Sequence, residues 1–68
     1  MISGQQCIKI LCKYFGGQVV SQKGSHIKVR FLTGLSVPVP NHKELNRFTL
    51  KGILDLAQIS PSDFFNHL

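Results

Sequence analysis

Residues 26–31 alternate strictly between apolar side chains and side chains that are cationic or titratable. Alternation with a period of two predicts a β-strand that is buried on one face only. The apolar residues of the segment then share the buried face, and His26, Lys28 and Arg30 share the exposed face. A sheet with one apolar face needs a covering layer, so the rest of the chain must supply helices that pack on it.

A helix precedes this strand. Ser3 followed by Gln6 has the spacing of a capping box, which begins a helix. Gly16 and Gly17 end it, because glycine accepts the left-handed conformation of a helix cap. The pattern predicts a helix over residues 4–14, with an apolar stripe made of Ile8, Leu11, Cys12 and Phe15.

The first turn joins two antiparallel strands. Lys23 and Gly24 are the predicted tight turn between a strand over residues 18–22 and a strand over residues 25–31. This register predicts two opposed pairs, Val20 with Ile27 and Ser21 with His26.

The second turn fixes a third strand. A loop over residues 32–34 brings two apolar sets together: Leu35 with Phe31, Val37 with Val29, and Val39 with Ile27. Pro38 and Pro40 then project to the outer face, across from Lys28 and His26. Because proline donates no ladder hydrogen bond, this strand is predicted to lie at an edge.

Three helix starts follow the strands. Asn41 and Glu44 have the spacing of a capping box and predict a short helical turn. Thr49 is the predicted cap of a second full helix, and Ser60 with Pro61 begins a third. The second helix presents Leu50, Ile53, Leu54 and Ala57 to the core, and the third presents Phe64, Phe65 and Leu68.

These elements predict an α+β fold in the order α-β-β-β-α, with a short extra C-terminal helix. The strands form an antiparallel meander, and the two longer helices cover its apolar face. The length of 68 residues suits one domain, expected to span residues 1–68. No apolar run approaches the roughly 20 residues of a membrane span, and no secretion signal is evident. A cytoplasmic location without membrane contact is therefore expected.

The cysteines and the other two histidines are expected to have structural roles and not catalytic ones. Cys7 and Cys12 turn to different sides of one helix, so we expect two reduced thiols, with Cys12 in the core. His42 falls in the first turn of a predicted helix and is interpreted as a capping-turn residue, with RNA contact as the alternative. His67 falls in the last turn of the last helix and is interpreted as structural. No set of these residues has metal-ligand spacing, and no metal or cofactor is expected.

The charge balance favours a polyanionic partner. Eight Lys and Arg face three Asp and Glu, which gives a formal net charge of +5. Nucleic acid is the commonest polyanion, although a basic domain without such a partner is an alternative. No aromatic row occupies the exposed strand face, so double-stranded or structured RNA fits better than stacked single-stranded bases.

His26 is the candidate catalytic residue. An imidazole titrates near neutrality, so it can take or give a proton during RNA cleavage without a metal. Lys23, Lys28 and Arg30 are the candidate phosphate contacts, and Ser25 can add a hydrogen bond. The alternative is that His26 has only a structural role at the edge of its strand.

Several segments resemble the HicA toxin family, in order and over nearly the whole chain. They are Ser3-Gly4, the run Gln22-Lys23-Gly24-Ser25-His26, the run Val37-Pro38-Val39-Pro40-Asn41-His42-Lys43-Glu44-Leu45, and Arg47 with Thr49-Leu50. The resemblance implies a fold like that of double-stranded-RNA-binding domains. It also implies a type II toxin, an endoribonuclease that cleaves mRNA, whose partner is a HicB antitoxin that masks the active histidine.

By position, the resemblance assigns catalysis to His26 and matches Lys23, Gly24 and Ser25 to the motif before it. The two other functions that the sequence leaves open belong to different classes. One is a non-catalytic module that binds double-stranded or structured RNA on the same fold. The other is an interaction protein whose basic face docks an acidic partner.

Two positions depart from the family pattern. Phe48 stands where the family usually has glycine, and is expected to alter the start of the second helix or to expose an aromatic surface. Gln58 stands where a helix-ending glycine is common. The second helix is therefore expected to lack its left-handed cap, at a cost of roughly 1 kcal/mol.

Overall fold

The computed structural model describes residues 1–68, which form three helices and three strands. In chain order these are α1 (Gly4–Tyr14), β1 (Gln18–Lys23), β2 (His26–Arg30), β3 (Ser36–Pro40), α2 (Arg47–Ala57) and α3 (Pro61–Phe65). The strands form one antiparallel sheet in the order β1-β2-β3. The predicted α+β fold and its α-β-β-β-α order are confirmed. None of the helices has the length and apolar character that a membrane span requires.

The core lies between the sheet and the helices. Both α1 and α2 contact β3, and α1 also contacts β1. One cluster of 15 buried apolar residues joins these elements: Cys7, Ile8, Ile10, Leu11, Ile27, Val29, Phe31, Val37, Val39, Leu45, Leu50, Ile53, Leu54, Ala57 and Phe64. The inward residues of β2 and β3 all belong to it, so the opposite face of the sheet is open.

The first helix begins as its sequence predicts. The Ser3 hydroxyl accepts a hydrogen bond from the Gln6 amide at 3.0 Å, and the Gln6 side chain accepts one from the Ser3 amide at 2.9 Å. This reciprocal capping box satisfies two amide groups that would otherwise lack partners at the helix start. The helix covers the predicted residues, Gly4–Tyr14.

The buried stripe of α1 differs from the predicted one. Cys7 and Ile10 are buried, whereas Cys12 and Phe15 are only partly buried at the border of the core. The helix is therefore rotated relative to the expected orientation, and the prediction of Cys12 in the core was wrong. Both cysteines are free thiols, and burial raises the pKa of Cys7 to about 12.

The turn between β1 and β2 lies one residue later than predicted. Gly24 and Ser25 form it, so Lys23 belongs to β1 and pairs with His26. The predicted pairing of Ser21 with His26 was therefore wrong. Only the first turn residue has a positive φ, +60° at Gly24, which is the pattern of a type II′ hairpin turn.

A β-bulge compensates for the later turn. The register of β1 shifts between Val19 and Ser21, so Val20 is the extra residue and does not oppose Ile27 as predicted. Beyond the bulge Val19 lies opposite Val29, and an apolar pair is restored. The bulge cannot be seen in the alternation pattern, because all six side chains of β1 are exposed.

The pairing of β2 with β3 follows the sequence pattern. Val37 lies opposite Val29 and Val39 opposite Ile27. Pro38 and Pro40 occupy the outer face across from Lys28 and His26, and β3 is an edge strand. These predictions are confirmed, because the strict alternation of both strands leaves one register that buries both apolar sets.

The helical turn predicted at residues 41–44 does not form. The Asn41 side chain accepts a hydrogen bond from Gln5 at 2.8 Å instead of capping a helix. The Asn41 amide donates to the Ser25 carbonyl at 2.6 Å, and the His42 carbonyl accepts from the Gly4 amide at 2.9 Å. Tertiary hydrogen bonds to the β1–β2 turn and to α1 therefore replace the local helix.

The second helix begins three residues earlier than predicted. Asn46 is its cap and accepts a hydrogen bond from the Thr49 amide at 2.8 Å, so the assignment of Thr49 as the cap was wrong. Phe48 lies in the first turn without disturbing the helix, and 80% of it is exposed. The predicted stripe of Leu50, Ile53, Leu54 and Ala57 is buried.

The second helix ends in a left-handed cap, so the prediction that it lacks one was wrong. Gln58 itself adopts φ +59° and ψ +40°. Its amide donates to Asp55 at 3.1 Å, and the Ile59 amide donates to Leu54 at 2.9 Å. These two bonds form a Schellman motif, so the helix keeps its cap and a side chain with a Cβ takes the strained conformation.

The third helix anchors the C-terminal end through one aromatic residue. Pro61 is its first residue, as predicted, and Phe64 is fully buried. Phe65 and Leu68, which were expected to join the core, are 47% and 62% exposed. A helix of five residues is too short to bury a full apolar stripe.

Candidate nucleic-acid interface

His26 stands between two ladder partners on the open face of the sheet. Lys23 lies opposite it on β1, and Pro40 lies opposite it on β3. Directly opposed side chains stand on the same face, with Cβ atoms about 4.5–5.5 Å apart. The exposed imidazole therefore has a lysine side chain on one side and a rigid proline ring on the other.

Two further cations continue the row along β2. Lys28 lies opposite Ser21 and Pro38, and Arg30 lies opposite Ser36. Arg30 Nε donates a hydrogen bond to Ser36 Oγ at 3.3 Å, which orients the guanidinium. We call the exposed group of Lys23, His26, Lys28 and Arg30 the basic face.

The turn before His26 is braced on both sides. Gln22 Nε2 donates to the Gly24 carbonyl at 3.2 Å, and the Asn41 amide donates to the Ser25 carbonyl at 2.6 Å. Both residues of the turn are exposed and lie immediately before His26. The bracing fixes the β1–β2 turn against the end of β3, which limits the movement of the histidine backbone.

No carboxylate compensates the basic face. The three acidic residues are Glu44, Asp55 and Asp63, and none of them belongs to the sheet. The one salt bridge of the structure joins Lys51 and Asp55 at 3.0 Å on α2. The cations of the basic face therefore remain available to a phosphodiester backbone.

The other two histidines lie elsewhere. His42 is exposed in the segment that follows β3, without the predicted capping turn around it. His67 lies just beyond α3, where its ring stacks on Tyr14 at 3.9 Å between centroids and meets the edge of Phe15 at 5.5 Å. These aromatic contacts join the C-terminal end to α1. No group of three or more His, Cys, Asp or Glu residues has an arrangement that could hold a metal ion.

The structure places Lys23, His26, Lys28 and Arg30 on one exposed face of the sheet, with Gly24 and Ser25 in the turn beside His26. Arg30 lies at the opposite end of β2 from His26. What the sequence did not predict is that Lys23 lies directly opposite His26. The signal was present in the Gly24-Ser25 dipeptide, since glycine is favoured at the first position of a type II′ turn. Asn41 was also missed as a brace of the turn, because its partners are distant in sequence.

Comparison with known proteins decides the family. Residues 4–59 match the family described as HicA toxin of bacterial toxin-antitoxin. The chain belongs to the HicA toxin family. The match covers most of the 68 residues and contains the whole basic face. The protein is therefore a toxin of a toxin–antitoxin system, and its family implies an antitoxin partner. A search of curated proteins found no match.

Proposed function

We propose that this toxin is a metal-independent endoribonuclease that cleaves mRNA, with His26 as its general acid or base. Lys23, Gly24, Ser25, Lys28 and Arg30 are its proposed RNA contacts. We further propose that residues 1–68 act as a single HicA-like domain in the cytoplasm, and that the antitoxin is of the HicB type. The observation that supports the catalytic proposal is that the exposed His26 lies opposite Lys23, on a sheet face without carboxylates.

The position of His26 suits access to a polymer. The ring lies on the open side of the sheet, while its neighbour Ile27 is buried beneath. RNA can approach without any rearrangement of the core. The exposed imidazole therefore remains in contact with water and within reach of a bound polymer.

The surrounding charges suit a phosphodiester. Lys23 beside the imidazole and Lys28 next along the same face supply positive charge where a phosphate would lie. The Gly24 and Ser25 amides belong to the exposed turn, and the Ser25 hydroxyl adds a further donor. Such groups stabilise the negative charge that builds up on phosphate oxygens during cleavage.

The proposed chemistry needs no cofactor. A base removes the proton of the ribose 2′-hydroxyl, and the resulting oxygen attacks the adjacent phosphorus. The bond from phosphorus to the 5′-oxygen breaks, and that oxygen receives a proton from an acid. The products carry a 2′,3′-cyclic phosphate and a 5′-hydroxyl. His26 serves in one of the two proton transfers, and Lys23 stabilises the charged intermediate.

Cleavage in the presence of EDTA tests the proposal. The native toxin should cut single- and double-stranded mRNA fragments with EDTA present, and His26→Ala should lower the rate by about 10²–10⁴-fold. His42→Ala is the matched control, because it removes an exposed histidine outside the sheet. Equal cleavage by the native toxin and His26→Ala would exclude His26 as the catalytic residue.

A non-catalytic RNA-binding module is the second candidate. One observation favours it: the three strands contain no carboxylate and no histidine other than His26, so the sheet offers no second imidazole or carboxylate for the other proton transfer. Such a module would bind duplex RNA with a steep dependence on salt. It would leave the RNA intact at every protein concentration and at every pH.

A further inference from the structure

The largest cavity of the protein lies away from the basic face. It is an open groove of about 610 Å³ between Met1 and Ile2, the start of α2 and the C-terminal residues around α3. Seven of its nine lining residues are hydrophobic, and none of the nine belongs to the sheet. The basic face and this groove therefore share no residue.

Large apolar side chains around the groove are exposed to solvent. Leu45 and Leu50 belong to the buried core and form its base. Around them Phe48 is 80% exposed, Phe65 is 47% exposed and Leu68 is 62% exposed. Clustered aromatic and aliphatic side chains of this kind are costly to leave in water and typically mark a surface that binds a partner.

Arg47 is the only charged side chain that lines the groove. It is the first residue of α2, where the partial positive charge of the helix dipole disfavours a cation. The first turn of α2 contains no acidic residue, and Arg47 forms no salt bridge. No Asp or Glu lines the groove or the smaller cavity of about 210 Å³ that shares Arg47 with it. The groove thus offers an apolar surface with an unneutralised guanidinium beside it.

We infer that this groove, which we call the Phe48 groove, binds an acidic and apolar segment of the antitoxin. An apolar side chain of that segment packs against Phe48, and a carboxylate pairs with the exposed Arg47 at the start of α2. The negative charge of this carboxylate would be stabilised both by the Arg47 guanidinium and by the positive end of the α2 dipole. The inference rests on membership of the toxin family and not on ribonuclease activity.

Charge argues against a second copy of the toxin as the occupant. A twofold interface brings the same patch of both chains together, so it would contain two Arg47 guanidiniums and no Asp or Glu from the groove lining. Each chain also carries a net charge of +5. An acidic partner removes both sources of repulsion, whereas self-association adds to them.

The position of the groove has a consequence for inhibition. A segment docked at Phe48 holds the toxin without occupying His26, so the antitoxin has two separate areas to engage. Joining two binding areas in one partner raises the overall affinity through effective concentration. Loss of the Phe48 contact should therefore weaken the complex even if the basic face is still covered.

Calorimetric titration of this toxin with its antitoxin tests the inference. Phe48→Ala and Arg47→Glu should each weaken the dissociation constant by about tenfold or more, as expected for anchor residues. Leu56→Ala is the matched control for Phe48, because Leu56 is 57% exposed on α2 and does not line the groove. Lys9→Glu is the control for Arg47, since Lys9 is an exposed cation on α1.

Two results would overturn the inference. One is native affinity for the antitoxin in both Phe48→Ala and Arg47→Glu. The other is a toxin dimer in sedimentation that Phe48→Ala converts to monomer, which would assign the groove to a second copy. RNA cleavage by free Phe48→Ala should equal that of the native toxin. Failure of both proteins to cleave would count against the ribonuclease proposal alone, because the titration does not depend on cleavage.

Discussion

Lys23 lies directly opposite His26 in the β1–β2 ladder. The relationship arises from the turn at Gly24-Ser25, which adds Lys23 to β1 and brings its side chain to the face that carries the histidine. A fixed positive charge is thereby held next to the only titratable imidazole of the sheet. This pair is the structural basis of the proposed RNA chemistry.

Removal of Lys23 should weaken RNA binding and slow cleavage while the fold is preserved. We expect Lys23→Ala to reduce the slope of log affinity against log salt by about one, because one phosphate contact is lost. Filter binding over a range of salt concentrations measures this slope. Lys51→Ala, which lowers the net charge equally but lies on α2, should leave the slope unchanged. An equal effect of both substitutions would show that only overall charge matters.

The sheet was predictable where alternation is strict and unpredictable where it is not. The buried residues of β2 and β3 leave one register that hides both apolar sets, and that register is observed. In β1 every side chain is exposed, so burial does not select the register, and the turn and bulge determine it. The direct opposition of Lys23 and His26 was missed for this reason.

Local helix signals were reliable only where no distant partner competed. Ser3 and Gln6 form their capping box because their side chains bond to each other's backbone and not to a distant residue. Asn41 has an equally good local signal, yet it bonds to Gln5 and Ser25, which lie far away in sequence. A single sequence contains no information on these partners, so the braced turn could be recognised only in the structure.

Gly4 should not tolerate a side chain. A Cβ at this position would overlap the Pro40 carbonyl, so Gly4→Ala must push the start of α1 away from the end of β3. We expect a loss of about 1–3 kcal/mol in the free energy of unfolding, as for an overpacked core. Gly52→Ala is the matched control, because its Cβ meets no atom and should stabilise α2 by about 0.5–1 kcal/mol. Urea unfolding of both variants measures the difference; a loss of stability confined to Gly52→Ala would contradict the packing at Gly4.

Replacement of Gln58 by glycine should stabilise the protein. Its positive φ of +59° is a conformation that a residue with a Cβ adopts at a cost, so Gln58→Gly removes strain from the α2 cap. The expected gain is about 0.5–1 kcal/mol in the free energy of unfolding. Gln58→Ala removes the same side-chain amide but keeps the Cβ, and should give no gain. Thermal unfolding distinguishes them, and an equal gain in both variants would contradict strain as the cause.

Cys7 should make stability depend on pH in alkaline solution. Burial raises the pKa of its thiol from 9.0 to about 12, so the unfolded chain loses this proton at a lower pH than the folded chain. Ionisation then favours the unfolded state, and stability should fall as the pH rises from about 9 towards 12. Cys7→Ala should flatten this fall when urea unfolding is followed at several pH values. Replacement of the partly exposed Cys12 should leave the fall intact, and an identical pH profile for Cys7→Ala would contradict the assignment.

Chemical rescue of His26→Ala tests the central claim most directly. The side chain projects from an exposed face, so free imidazole can reach the space that the substitution leaves. With EDTA present, His26→Ala should be nearly inactive towards RNA. Added imidazole should restore cleavage at the native sites, at a rate that rises with imidazole concentration and produces 2′,3′-cyclic phosphate ends. Cleavage by His26→Ala at the native rate without imidazole would contradict the account.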